Sequence, residues 1–322
     1  MHNEDRAQVW VLADDRTGNT SQCVGVAEAL GWPFAVKDIR YDAAGRLPNL
    51  IRGASLLGVI EESRAQLKAP WPKVVIAAGR RTAPVARWLK RQSGARLVQI
   101  MDPGPGGRDE FDIIFIPAHD AYRKGEPNVS TITGAPHRVT AQRLAEAGEL
   151  WRPRFEHLPR PWIGLVVGGT THQREFTPQL ARELGKRTAA LARGGSILAT
   201  TSRRTSEAAE AALLPELPEP RFVHSWRAGG DNPFFGLLAL ADALVVTGES
   251  TSMLCECCST PAPVYVFSPE GMVVPKHARF QQDLYQRGLA RPLEPGTLLE
   301  AWSHAPLNDA GNIATIIRER FA

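Results

Sequence analysis

The chain has 322 residues, enough for two domains that each bury a core of their own. Its composition, 43% hydrophobic and 22% charged, fits a soluble globular protein and excludes disordered and fibrous classes. A net charge of +4 without a dense Lys/Arg tract argues against nucleic acid as a partner, and a mildly basic surface suits an anionic substrate or a membrane face.

Strand and helix alternate from end to end, the pattern of parallel sheets covered on both faces. The polar start, MHNEDRAQ, is not a secretory signal. QVWVLA (Gln8–Ala13) reads as a buried strand, followed by the polar turn DDRTGNTSQ and a helix to about Leu30. Further strands are predicted at Pro33–Arg40, Lys73–Gly79, Ala95–Asp102 and Phe111–Ala118, with a short one at Asn128–Thr131 and a helix from near Thr82. Prolines in WRPRFEHLPRP predict irregular chain over 151–161, and the domain junction is placed there, giving domains 1–155 and 156–322. The second half repeats the logic with strands at Trp162–Gly169, Ser196–Thr200, Arg221–His224, Ala243–Thr247 and Val264–Phe267. A final helix, roughly Ala310–Phe321, could pack back on the N-terminal domain. The fold class expected is α/β: two doubly wound Rossmann-like domains facing across a cleft, with ligands at the strand C-terminal edges. The apolar runs are strand-length, and Asp242 interrupts LLALADALVV, so no membrane span is expected and a cytoplasmic location is.

The chemistry concentrates in Asp231–Pro269. Gly248, Ser250, Thr251 and Ser252 follow a buried strand and open a helix, where free N–H groups and the helix dipole favour phosphate. Glu249 is a misfit beside a diphosphate, because like charges repel. Glu256, two turns into the helix, could accept hydrogen bonds from a ribose diol, so the stretch suggests a nucleotide site. Gly168, Gly169 and Thr170 form a second turn after a buried strand, and His172 and Arg174 behind it could meet a leaving phosphate without a metal ion. In the first domain Asp14, Asp15, Arg16, Gly18, Asn19 and Gln22 form the opening turn, with Asn19 or Thr20 as an expected helix cap. Asp14 or Asp15, or His119 beside Asp120, could serve as the base of a transfer reaction. Arg80 and Arg81 could clamp an anionic acceptor, and His137 with Arg138 is a weaker version of the same idea. Cys255, Cys257 and Cys258 tempt a metal reading, but one helix turns them to different faces. Packing as small hydrophobes is expected, with no metal and no cofactor.

Thr247–Glu256 resembles the donor-site signature of the peptidoglycan N-acetylglucosaminyltransferase group, and GLVVGGTTH (Gly164–His172) resembles that group's opening loop of the second domain. In those transferases the loop equivalent to RFVHSWRAGG holds the nucleobase, so Trp226 could stack on the base. A closer resemblance covers nearly the whole chain. LADDRTGNTSQCVGVAEALG, AAGRRTAPVARWLKR, VQIMDP, TGAPHRVT and NPFFGLLALADALVVTGESTSM, in that order, are similar to the family of the plant elongated-mitochondria fission factor and its bacterial relatives. In the plant branch the resemblance implies a cytosolic protein that helps recruit a dynamin-related protein to mitochondria. In the bacterial branch, which this length fits, it implies a protein of glycosyltransferase (GT-B) type.

The combined expectation is a metal-independent glycosyltransferase with a nucleoside diphosphate-sugar donor held by the C-terminal half. Its acceptor is unknown, a membrane-surface glycan or lipid among the options, and peripheral attachment at the inner membrane face is compatible with it. The alternative is a non-catalytic recruitment protein with a protein partner. A nucleotide-sugar epimerase is disfavoured because no tyrosine has a lysine four residues later.

Overall fold

Apolar runs become strands, and the computed structural model, which describes residues 7–120 and 125–321, assembles them into two separate sheets. The first unit runs to Arg138 and takes back the chain from Asn308, while the second is Val139–Leu307. The first sheet holds β1 (Val9–Ala13), β2 (Phe34–Asp38), β3 (Val74–Ala78), β4 (Arg96–Ile100), β5 (Ile113–Pro117) and β6 (Val129–Ile132). All pairs are parallel, in the order β2-β1-β3-β4-β5-β6. The two-residue alternation of a strand sends Val9 and Val11 to one face and Trp10 and Leu12 to the other. Both faces are covered, which is why β1, β3 and β5 are apolar throughout rather than alternating. Its helices are α1 (Thr17–Leu30), the four-residue α2 (Asn49–Arg52) and α3 (Glu61–Arg64), and α4 (Gly79–Ser93).

In the second sheet β7 (Trp162–Val166), β8 (Ser196–Thr200), β9 (Phe222–His224), β10 (Ala243–Thr247), β11 (Val264–Phe267) and β12 (Arg291–Pro292) run in the order β12-β11-β10-β7-β8-β9, again all parallel. The helices here are α5 (Ala141–Phe155), α6 (Pro178–Ala192), α7 (Glu207–Leu213), α8 (Phe234–Leu240), α9 (Thr251–Cys257) and α10 (Pro275–Gln286). The last helix, α11 (Asp309–Phe321), returns to the first unit, where Ile313 and Ile317 join the core beside Val26 and Ile76. The Asp309 carboxylate accepts from the Thr133 and Gly134 amides at 3.2 and 2.7 Å, and Arg318 donates to the Ala29 carbonyl at 2.6 Å. Among the described residues no helix is long and apolar enough to cross a membrane.

The expected irregular stretch and domain junction need correction. Residues 151–155 are helical and α5 belongs to the second unit, so the units part at Arg138 rather than after 155. Pro153 lies in the last turn, where it costs one intrahelical hydrogen bond. Burial of Trp151 and Phe155 against Trp162, Leu198 and Leu237 outweighs that loss. Gly236 makes the contact possible, since a Cβ there would lie 2.4 Å from Trp151 Cγ.

Strand order defines two switch points, where a doubly wound sheet opens a crevice at its C-terminal edge. In the first sheet the chain leaves β1 toward β2 and returns on the other side as β3. In the second it leaves β7 toward β8 and β9 and returns as β10. Asp14–Arg16 and Gly79–Arg81 therefore flank one switch point. Gly168–Thr170 and Gly248–Ser250 flank the other.

Candidate functional site

At the second switch point the glycines are closed by protein groups. The Gly168 amide donates to Thr247 Oγ1 at 2.8 Å and the Gly169 amide to Glu249 Oε1 at 2.7 Å. Thr205 Oγ1 donates to the Gly168 carbonyl at 2.7 Å, and the Thr170 amide to the Arg204 carbonyl at 3.0 Å. A Cβ on Gly168 would lie 1.8 Å from Glu249 Oε1, and one on Gly169 (φ +143) 2.2 Å from Arg204 O. At Gly248 a Cβ would meet Gln281 Nε2 at 2.4 Å, and that amide donates to the Gly248 carbonyl at 2.8 Å. These positions are glycine because neighbouring protein groups take the side-chain space. Glu249 ceases to be a misfit. It is 4% exposed, ties the β7 turn to the β10 turn, and meets Arg204 at 3.2 Å.

What stays open lies one step further along the chain. Ser250 is the N-cap of α9 but makes no side-chain capping bond, and its hydroxyl and those of half-buried Thr251 and Ser252 have no hydrogen-bond partner among the described residues. Glu256 follows Ser252 by four residues, the spacing that puts two side chains on one helix face. No cation pairs with Glu256 among the described residues, and burial pushes its carboxyl up to about 7. Half-buried hydroxyl donors beside a desolvated carboxylate can bind a ligand that offers both acceptors and donors, as a phosphate and a diol do. His172 and Arg174 stand exposed on a turn closed by the Thr171 amide donating to the Arg174 carbonyl at 2.8 Å. Trp226 is 46% exposed on a 3-10 turn after β9, outside the core that usually claims a tryptophan.

At the first switch point Asp14 is buried. Its Oδ1 accepts from the Arg16 amide at 3.0 Å, and its Oδ2 has no partner among the described residues. Burial raises its pKa, partly offset by that backbone bond. Asp15 is exposed and paired with Arg81, so of the two aspartates Asp14 is the one with a buried oxygen that no described residue engages. α1 starts at Thr17 with Arg16 as N-cap and no side-chain cap, which corrects the expected cap at Asn19 or Thr20. Thr20 Oγ1 instead donates to the Asp14 carbonyl at 3.3 Å. Asn19 approaches Gly79, Gln22 is buried in α1, and Gly18 has open space where a side chain would be. Arg80 and Arg81 follow Gly79, whose φ of +68 lets α4 begin directly at the end of β3.

Asp15, Arg16, Arg80 and Arg81 line a cavity of about 580 Å³ together with Arg46, Asn49 and Arg52. The last three escape sequence reading. They come from the connection between β2 and β3, and their one signal is a run of cationic and amide residues without helical or strand periodicity. His119 lies on a 3-10 turn after β5, and β3 and β4 stand between β5 and β1. Three strand spacings, about 14 Å, separate it from the Asp14 turn, so the fold does not bring those two base candidates together. Arg138 pairs with Glu28 at 2.6 Å and His137 is buried, which holds their motif on α1. Cys255, Cys257 and Cys258 are buried, and burial drives the Cys258 thiol up to about 12 and Cys257 well above its usual range, so both stay protonated.

In solved structures the chain is similar to MurG of Acinetobacter baumannii, with a TM-score of 0.53 at 13% identity over 97% of this chain and 99% of that one. It is similar to the UDP-GlcNAc 2-epimerase of Methanocaldococcus jannaschii to the same extent, with a TM-score of 0.55 at 12% identity over 97% and 99%. At such identities the likeness is one of fold: two Rossmann-like units of GT-B type. In sequence the chain is 30% identical over 294 residues to the mitochondrial fission protein ELM1 of Arabidopsis thaliana, covering 84% of this chain and 68% of the relative. Residues 17–321 match the family described as Mitochondrial fission ELM1, and the chain belongs to that family.

Proposed function

We propose that the chain is a glycosyltransferase of GT-B type whose C-terminal unit binds a nucleoside diphosphate-sugar. One observation carries this: beside glycines whose backbone groups are engaged by protein, Ser250, Thr251, Ser252 and Glu256, with Oε2 of Glu249, keep polar groups that no described residue engages at the switch point of the sheet. The hydroxyls and first amides of α9 would meet the diphosphate, Glu256 the ribose, and Trp226 the base, whose flat face suits an exposed aromatic ring. His172 and Arg174 would neutralise charge on the departing diphosphate, so the transfer would need no metal ion. Asp14, buried with one oxygen that no described residue engages, would accept the proton of the acceptor hydroxyl. The bond formed is acceptor oxygen to sugar carbon, the bond broken is sugar carbon to phosphate oxygen, and the nucleoside diphosphate leaves with the electron pair. Likeness in fold to a UDP-GlcNAc 2-epimerase supports a nucleotide-sugar ligand in general and leaves the reaction type to be decided by the site.

A second reading is a non-catalytic recruitment protein, favoured by the identity to a relative named for mitochondrial fission. Thermal denaturation with a panel of nucleoside mono- and diphosphates, with and without Mg²⁺, separates the two. A base-selective, Mg²⁺-independent rise in Tm that Glu256→Gln abolishes supports the donor site. A protein that no nucleotide stabilises sinks it and leaves recruitment as the reading.

A further inference from the structure

The cavity of the N-terminal unit is cationic to a degree that the fold does not need. Arg16, Arg46, Arg52, Arg80 and Arg81 line its roughly 580 Å³ against a single acid, Asp15, which Arg81 already pairs. Arg16, Arg46 and Arg80 have no ion-pair partner among the described residues. Arg52 is the informative member. It is 2% exposed, with Nε donating to the Leu57 carbonyl at 3.3 Å and Nη1 to the Arg81 carbonyl at 3.2 Å. Its Nη2 is buried without a partner among the described residues. A buried guanidinium with an unused donor is costly unless an anion completes it. The cavity is also built, since Asn49 Nδ2 donates to the carbonyls of Arg80 and Pro103 at 2.8 and 3.0 Å, which fixes α2 on the turn after β3. The Tyr41 ring has the guanidinium carbons of Arg52 and Arg81 each 4.9 Å from its centroid.

A second feature sits beside the first. Leu47, Leu50, Ile51 and Leu57 are 39, 69, 62 and 42% exposed, and all come from the segment that supplies Arg46, Asn49 and Arg52. Leu47 lines the cavity itself, and Leu50 Cδ2 lies 3.2 Å from where a Cβ on Gly106 would sit. Scattered exposed apolar residues are ordinary, but several within one short segment next to a basic cavity form an amphiphilic surface. Its complement carries a phosphate and a hydrocarbon chain on one molecule. The geometry points to this cavity as a binding site for a phosphorylated lipid, with the phosphoryl group among the arginines and the acyl chains against Leu47, Leu50 and Ile51. This names the class of acceptor for the proposed transfer, and rests on that reading only for the acceptor role, not for binding.

The test uses the full chain and vesicle flotation. Vesicles of phosphatidylcholine doped with phosphatidic acid are compared with vesicles doped with phosphatidylserine to the same zeta potential, and inorganic phosphate and glycerol 3-phosphate are tested for thermal stabilisation. Expected is at least about tenfold preference for phosphatidic acid vesicles, since each surface cation adds only about 1 kcal/mol and such charge is matched between the two. Arg46→Gln with Arg80→Gln, both exposed and tolerable to the fold, should abolish the preference together with stabilisation by soluble phosphate. Leu50→Ser with Ile51→Ser should weaken vesicle binding and leave stabilisation by soluble phosphate intact. Equal binding to both anionic vesicles, or a preference that survives the arginine substitutions, overturns the assignment. Stabilisation by glycerol 3-phosphate without vesicle binding overturns the lipid and makes the ligand a soluble phosphate ester. Nucleotide stabilisation is read on the same samples, and a protein that binds phosphatidic acid vesicles but no nucleotide fails the donor reading while supporting this one.

Discussion

Glu256→Gln is expected to stabilise the ligand-free protein at pH 8 while it removes nucleotide binding. Burial alone moves the Glu256 carboxyl from 4.5 up to about 7. A raised acid pKa means that the folded state favours the neutral form. The stability this gives is fully present below about 4.5 and is lost as pH rises through about 7. At roughly 1.4 kcal/mol per pH unit, folding with the charged form costs up to about 3 kcal/mol at pH 8. Glutamine has the same shape and no charge, so the variant escapes that cost at pH 8 and gains nothing near pH 4.5. A few degrees per kcal/mol turns this into a rise in Tm of roughly 5 °C at pH 8. Thermal denaturation of both proteins across pH 4.5–8, with and without the stabilising nucleotide, is the assay. If Glu256→Gln proved less stable at every pH, the carboxylate would be held by bonds within the fold, and a ribose could not claim it. Stability gained with affinity lost is the combination expected of a residue kept for a ligand.

Nucleotide affinity of the native protein should weaken about tenfold from pH 8 to pH 6, because only about a tenth of Glu256 is then ionised. Isothermal titration at both pH values checks this, with nucleoside and nucleoside diphosphate compared so that the titration of phosphate itself is separated; affinities equal at pH 6 and pH 8 would refute it. Gly169→Ala should cost about 2–4 kcal/mol of stability, from a Cβ forced to within 2.2 Å of Arg204 O at a φ of +143, and urea denaturation reads it. A stable Gly169→Ala with lost affinity would instead put the glycine against the ligand. Asp309→Ala leaves the Thr133 and Gly134 amides without their acceptor and should destabilise the first unit by about 2–4 kcal/mol, seen as faster hydrogen exchange in α11.

Strands β1, β3, β7 and β10 are legible in the sequence because central parallel strands are buried on both faces and read as unbroken apolar runs. The four-residue helices α2 and α3 are too short to show a period, so the segment that walls the arginine cavity reads as featureless. The last turn of α5 is lost to Pro153 because local rules register the hydrogen bond that it removes and not the aromatic burial of Trp151 and Phe155.

The two sites divide along the same line. The candidate site on α9 is visible from sequence because its signal is contiguous, a buried strand followed at once by hydroxyl residues and, within the same helix, a glutamate. The reason for the glycines beside it is not visible, since close packing on protein and close approach of a ligand demand the same residue. Only the 1.8 Å and 2.2 Å approaches at Gly168 and Gly169 decide that protein fills the space. In the N-terminal unit the sequence offers Arg16, Arg80 and Arg81 at strand edges, and what makes them a cavity is Arg52 and Asn49 arriving from the β2–β3 connection. His119 shows the converse. A histidine at a strand edge looks equivalent to Asp14 until strand order puts β3 and β4 between them. Edge position is local information, whereas adjacency of edges belongs to topology, so a site built from one segment can be read early and a site built from several cannot.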